Sequence, residues 1–219
     1  MKTTVVFRVM SVVAGFTILF GSCENVFTYS PLVALQRDAA NLAPEQQVAL
    51  AEEAINSGNE EAMSELLDAL SESEDPTVLP VAADLALTLS GGPEIATALT
   101  TTALSLDPED PAAVEAALAS FSETLEAQVD VEKIDQAVSL IDKTVAAGGT
   151  PTSEQYLLAA VSLSVKVAKE ADSASLLIGG EEEPPDFTPD QEEDLSKAVE
   201  FLEASGLSSE ELPFAVPSP

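Results

Sequence analysis

Apolar residues recur along much of the chain at intervals of three and four, which is the spacing of one face of an α-helix. Three such stripes are Met63, Leu66, Leu67 and Leu70; Val114, Leu118, Phe121 and Leu125; and Val131, Ile134, Val138, Ile141 and Val145. A further segment, residues 76–90, is apolar nearly all round, which predicts a helix buried between its neighbours. The pattern therefore predicts an all-α fold.

Glycine and proline divide the predicted helices from one another. Breaks are expected at residues 57–59, 75–76, 90–93, 107–108, 148–151 and in an acidic, proline-bearing loop at 179–189. The helices then form helix-turn-helix pairs that begin near Pro44, Pro76, Pro111 and Pro151. We place the helical domain at residues 44–205 and a C-terminal tail at 206–219.

Parts of the first two pairs resemble tetratricopeptide repeats. The matching residues are Ser57-Gly58-Asn59-Glu60-Glu61-Ala62, Leu66, Ala69-Leu70 and Pro76, and then Ala96, Ala103-Leu104 and Leu106-Asp107-Pro108. The Trp, Leu-Gly and Tyr of the family's first helix are absent, and the match covers about a third of the chain. The resemblance implies stacked hairpins with a concave surface that binds a protein or peptide. An irregular helical bundle is the alternative.

The first 22 residues form a different kind of segment. Lys2 and Arg8 provide positive charge, and the apolar run at residues 9–20 is too broken to span a bilayer. Gly21 and Ser22 are small residues of the kind that a signal peptidase accepts before its cut. These features predict an export signal at residues 1–22.

Residues 19–23, Leu-Phe-Gly-Ser-Cys, resemble the lipobox of bacterial lipoproteins, with Phe20 where leucine is usual. The resemblance implies that Cys23, the single cysteine, is lipidated with acyl chains such as palmitate, and that residues 23–43 form a tether. It places the protein outside the cytoplasm in the bacterial cell envelope, anchored to a membrane. Glu24 after the cysteine favours the outer membrane. An inert buried cysteine and an ordinary secretory signal remain as alternatives.

The charge balance limits the classes of partner. The chain has 39 acidic and 8 basic residues, a net charge of −31. Removal of Lys2 and Arg8 with the export signal makes the balance more acidic still. We therefore expect no nucleic-acid partner, because phosphate binding requires a basic surface. The acidity is consistent with a salty environment or with a cationic partner.

The side chains available for catalysis are few. The chain contains no histidine, and its one cysteine is assigned to lipid. Paired carboxylates can act as acid and base, but among 39 acidic residues such pairs have no specificity. The cluster of Glu181, Glu182, Glu183 and Asp186 lacks the spacing of a calcium-binding loop. We expect no enzyme, no cofactor and no metal.

These observations predict a lipid-anchored adaptor or scaffold of an envelope assembly or transport complex, with a protein partner. A small-ligand-binding or transporter-accessory lipoprotein and a surface structural protein are the alternatives. Phe187 and Phe214 are aromatic residues outside the predicted helices, and we consider them as anchors for the partner. The other interpretation is that they fold back and cap the ends of the helical array.

Overall fold

A computed structural model describes residues 39–105, 110–178 and 185–207 of the protein. Within these ranges the chain consists of helices and turns, without a strand, so the all-α prediction is confirmed. A short 3-10 helix, Ala39–Asn41, precedes the α-helices. These are α1 (Pro44–Ser57), α2 (Glu60–Leu70), α3 (Leu79–Leu89), α4 (Gly92–Ser105), α5 (Pro111–Gln128), α6 (Val131–Ala146), α7 (Ser153–Glu170), α8 (Ser175–Ile178) and α9 (Pro189–Ser205).

Several helices begin at a side chain that caps the free backbone N–H groups of the first turn. At the start of α2 the side chain of Asn59 accepts a hydrogen bond from the N–H of Ala62 at 3.1 Å. At the start of α7 Thr152 and Gln155 form a reciprocal capping box. The start of α9 repeats that arrangement. The local sequence thus sets where these helices begin.

The predicted breaks at residues 57–59, 90–93 and 148–151 are confirmed, and the break at 107–108 lies outside the described residues. Gly58 ends α1 in the left-handed conformation, with φ of 64°. Gly91 has φ of 79°, and a side chain there would also collide with the carbonyl oxygen of Gln128 at the end of α5. Glycine is therefore required at position 91 for two separate reasons.

The helix predicted at residues 76–90 begins three residues later than expected, at Leu79. The carboxylate of Asp75 accepts hydrogen bonds from the hydroxyl of Thr77 at 2.7 Å and from its N–H at 2.8 Å. The hydroxyl bond and then the N–H bond hold the pKa of Asp75 below its usual value. This local turn delays the start of the helix.

As predicted, α3 is buried. It packs most extensively against α6, and it also contacts α1, α2, α4 and α7. Its alanines, Ala82, Ala83 and Ala86, are completely inaccessible to solvent. Such short side chains allow neighbouring helices to approach closely on several sides of α3.

The other interior helix is α7. It packs most extensively against α9, and it contacts α3, α4, α5, α6 and α8. Every residue from Ala159 to Ala168 is buried, including two serines and a lysine. Helix α7 is thus the element on which most of the described helices converge.

The order of packing departs from a regular repeat array. In such an array each repeat contacts only its neighbours in the stack. Here α7, which begins the fourth helix pair, packs on both α3 and α4 of the second pair. Of the two arrangements expected from the sequence, this packing corresponds to the irregular bundle.

The apolar stripe predicted on α6 is correct except at its last residue. Ile134 and Ile141 are buried, but Val145 is 51% exposed. Thr144 is buried in its place, and its hydroxyl donates a hydrogen bond to the carbonyl oxygen of Leu140 at 2.7 Å. Because the threonine satisfies its hydroxyl within its own helix, it can occupy the interior position.

Candidate functional site

A groove of about 630 Å³ lies where α6, α7 and α9 meet. Most of its lining side chains are charged, and we call it the charged groove. Its lining residues are Val138, Asp142, Lys166, Asp190, Glu193, Asp194, Ser196, Lys197 and Glu200. Five of these are carboxylates and two are lysines, so the groove carries excess negative charge.

Lys166 reaches the groove from the interior helix α7. Its side chain is 11% exposed, and its ammonium group lies 2.5 Å from Asp135 on α6 and 2.9 Å from Asp194 on α9. Burial opposes the charge of the lysine, but the hydrogen bonds with Asp135 and Asp194 outweigh it and raise the pKa of Lys166. One buried cation therefore joins three helices beneath the groove.

Lys197 on α9 forms the second cationic centre. Its ammonium group lies 2.9 Å from Asp142 on α6 and 3.2 Å from Glu200. It also lies 4.8 Å from the centre of the Phe201 ring, which packs against Tyr156 at 5.6 Å. Burial opposes the charge here too, and the bonds with Asp142 and Glu200 outweigh it, so the pKa of Lys197 is raised.

Glu170, at the end of α7, has a raised pKa that is influenced by the charged residues around the groove. Partial burial raises its pKa, and the negative charges of Asp194, Asp135 and Asp190 raise it further, against the opposing charge of Lys166. A carboxyl group in this position thus holds its proton more tightly than usual.

This arrangement suits the binding of cationic groups. Each lysine is already paired with two carboxylates, whereas Asp190 and Glu193 have exposed side chains and take part in none of the described ion pairs. A positively charged segment entering the groove would meet carboxylates first. Among the described residues there is no cluster of three or more potential metal ligands.

The sequence-predicted site residues fall partly outside this region. Cys23 and Phe214 lie outside the described residues. Phe187 lies in the segment that leads into α9, where its side chain is half-buried. It is three positions before the groove residue Asp190. Phe187 is thus close to the charged groove in the chain but is not one of its lining residues.

The lysines of the groove were missed from the sequence. Lys166 stands among the valines and serines of α7, and a cation between apolar residues in the middle of a helix is a signal of a buried ion pair. Its partners are 31 positions before it and 28 after it in the chain, at Asp135 and Asp194. Sequence alone does not select them among 39 acidic residues.

None of the helices in the described ranges combines the length and apolar character needed to cross a bilayer. Comparison with protein-family models, with curated proteins and with solved structures finds no significant match.

Proposed function

We propose that the protein is a lipoprotein of the bacterial cell envelope, anchored through Cys23, whose helical body binds a protein partner as an adaptor or scaffold. The proposal for the anchor rests on the resemblance of residues 19–23 to a lipobox. The proposal for binding rests on the charged groove. A basic segment of the partner is the ligand whose chemistry complements it.

The form of the groove supports a protein segment rather than an apolar small molecule. Small-ligand sites are enclosed and mostly apolar, with few polar groups. The charged groove is open and lined by five carboxylates and two lysines. A partner side chain that displaced Lys197 from Asp142 or Glu200 would exchange one ion pair for another, so entry of lysine or arginine leaves no charge unpaired.

Phe187, three positions before Asp190 in the chain, is the aromatic residue that we assign to the same interface. Interface energy is concentrated in a few aromatic and arginine contacts, surrounded by polar groups that add specificity. In this proposal the partner packs against Phe187 and places its cations over Asp190 and Glu193.

The binding proposal is tested by photocrosslinking in intact cells. A photoreactive amino acid replaces Glu193 in the groove or, as a control, the exposed Glu65 of α2. We expect a defined partner to be captured from position 193 only, and capture to fall when Asp190 is changed to Lys. Phe187→Ala should lower capture while leaving the melting temperature unchanged. Equal capture from both positions would refute the groove as the binding surface.

The anchor is tested separately. Cys23→Ser should abolish acylation and release the protein from the membrane fraction, with the helical circular dichroism spectrum unchanged. Metabolic labelling with a palmitate analogue measures the acylation directly. A Cys23→Ser protein that is still cleaved before residue 23 and still extracted with membrane lipid shows that another feature holds it there.

A further inference from the structure

A partly buried carboxyl group, that of Asp84, lies between α3 and the first turn of α7. Asp84 stands between the buried residues Ala83 and Leu85 of α3. One of its oxygens accepts a hydrogen bond from the side-chain amide of Gln155 at 2.8 Å. The same amide nitrogen donates to the carbonyl oxygen of Pro80 at 2.8 Å. Gln155 therefore ties the start of α7 to α3.

Gln155 is itself held firmly. It is 3% exposed, and its side-chain oxygen accepts the N–H of Thr152 at 2.8 Å in the capping box of α7. The amide is thus fully engaged, with its oxygen turned to its own helix and its nitrogen to α3. If the charge of Asp84 changes, the side-chain amide of Gln155 cannot rotate to a new hydrogen-bonding arrangement without breaking the cap of α7.

No cation compensates a negative charge on Asp84 within the described part of the chain. Helices α1, α2 and α4 pack on α3 and carry no lysine or arginine. The lysines of α6, α7 and α9 have partners elsewhere: Gln136 for Lys133, the Ser71 carbonyl for Lys143, Asp135 and Asp194 for Lys166, the Val129 carbonyl for Lys169, and Asp142 and Glu200 for Lys197.

The ionised groups that do act on Asp84 are negative. Burial raises its pKa from the ordinary 3.8 to about 6. The hydrogen bond from Gln155 opposes this shift, and the charges of Glu154 on α7 and Glu52 on α1 add to it. The carboxyl group therefore changes its charge in a mildly acidic range, at the point where α3 meets the first turn of α7.

We propose that Asp84 and Gln155 form a proton-dependent latch that holds α3 and α7 together when Asp84 is protonated and weakens their packing when it is ionised. Protonation places a neutral carboxyl group between the helices, and it keeps an oxygen that accepts from Gln155. Loss of the proton to water leaves an anion that faces Glu52 and Glu154 with one neutral donor.

The direction of the effect follows from the two titrations. Since the folded protein binds this proton more tightly than the unfolded chain, the contribution to stability is complete below about pH 4. It is lost as the pH rises from the unfolded value of 3.8 through the folded value of about 6. Across that interval the folding equilibrium constant falls by roughly a hundredfold from this group alone.

The test uses the full-length chain in detergent, with urea unfolding followed by circular dichroism at several pH values. Asp84→Asn retains an oxygen that accepts from Gln155 but cannot ionise. We expect its folding constant to fall roughly a hundredfold less than that of the parent between pH 4 and pH 7.5. Asp68→Asn removes an exposed carboxylate of α2 and is the matched control for the general relief of negative charge.

Two results would overturn the latch. One is an equal pH dependence of stability for Asp84→Asn and Asp68→Asn. The other, which does not depend on any variant folding, is a carbon-13 titration in which the carboxyl of Asp84 has its midpoint near 3.8. A midpoint near 6, together with faster amide exchange in the first turn of α7 above that pH after correction for intrinsic rates, supports it.

Discussion

Helices α3 and α7 are both buried on nearly every side, and they achieve this with different side chains. In α3 the buried residues are all apolar: Leu79, Ala82, Ala83, Leu85, Ala86 and Leu87. In α7 the buried set includes Ser162, Ser164 and Lys166. Apolar composition thus predicts burial in the first helix and underestimates it in the second.

Two of these polar side chains of α7 have partners for their polar groups. The hydroxyl of Ser164 donates to the carbonyl oxygen of Ala160 at 2.9 Å, within its own helix. Lys166 finds two carboxylates on two other helices. A polar side chain can be buried when its partners are supplied nearby, and the partner therefore matters more than the polarity.

The largest effect is expected where a charge is placed in the interior without any partner. Leu99 on α4, the helix that contacts both α3 and α7, is completely buried. Leu99→Asp should lower the free energy of unfolding by more than about 4 kcal/mol, because the new carboxylate is buried without a partner of opposite charge. The buried Lys166, by contrast, is paired with two carboxylates. Leu99→Met, measured in the same urea titration, should change stability by less than about 1.5 kcal/mol.

A smaller loss is expected when a cavity is made in the apolar helix. Leu85 of α3 is completely buried, so Leu85→Ala should lower the free energy of unfolding by about 3 kcal/mol. The exposed Leu50 of α1 serves as the control, and Leu50→Ala should lower it by less than about 1 kcal/mol. Similar losses for the two variants in urea unfolding would contradict the interior placement of α3.

Several elements of this contrast could be predicted from the sequence. The stripe on α2 identified its buried residues Met63, Leu67 and Leu70, because helical spacing alone selects one face. Gly58 and the prolines marked helix boundaries for reasons of local backbone geometry. The order of packing could not be predicted from these local signals, since the extensive contact of α3 with α6 joins segments far apart in the chain.

Helix α7 shows a further limit of sequence patterns. Residues 161–167, Val-Ser-Leu-Ser-Val-Lys-Val, alternate apolar and polar side chains, which is typical of a strand. They nevertheless lie in a helix. This part of α7 is buried on every side, so no face of the helix has to be exclusively polar and the alternating pattern can be accommodated. The charged groove was unpredictable for a related reason, since it is assembled from carboxylates and lysines on three separate helices.

A moderate effect is expected when the buried cation of α7 loses its charge. Lys166→Met should lower the free energy of unfolding by about 2 kcal/mol, because Asp194, which is 20% exposed, is left without its partner. Asp135 is 55% exposed and remains hydrated. The double change Lys166→Met with Asp194→Leu should recover most of the loss in urea unfolding. A single variant as stable as the parent would mean that the ion pair makes no net contribution.

The smallest effect distinguishes two serines on the same helix. The hydroxyl of Ser162 is buried and has no hydrogen-bond partner among the residues that the structure describes, and the space beside it has no room for a water molecule. Ser164 is equally buried but has its bond to Ala160. Ser162→Ala should therefore be more stable than Ser164→Ala by about 1 kcal/mol.

Both serine changes gain the same helix propensity from alanine, so their difference isolates the hydroxyl group. Relative to the parent, Ser162→Ala should raise the midpoint of urea unfolding and Ser164→Ala should leave it nearly unchanged. If Ser162→Ala is instead the less stable of the two, its hydroxyl must have a partner, and Gly92, which packs directly against it at the start of α4, is where that partner should be sought. In that event every buried polar group of α7 would be satisfied, and the contrast with α3 would be one of composition alone.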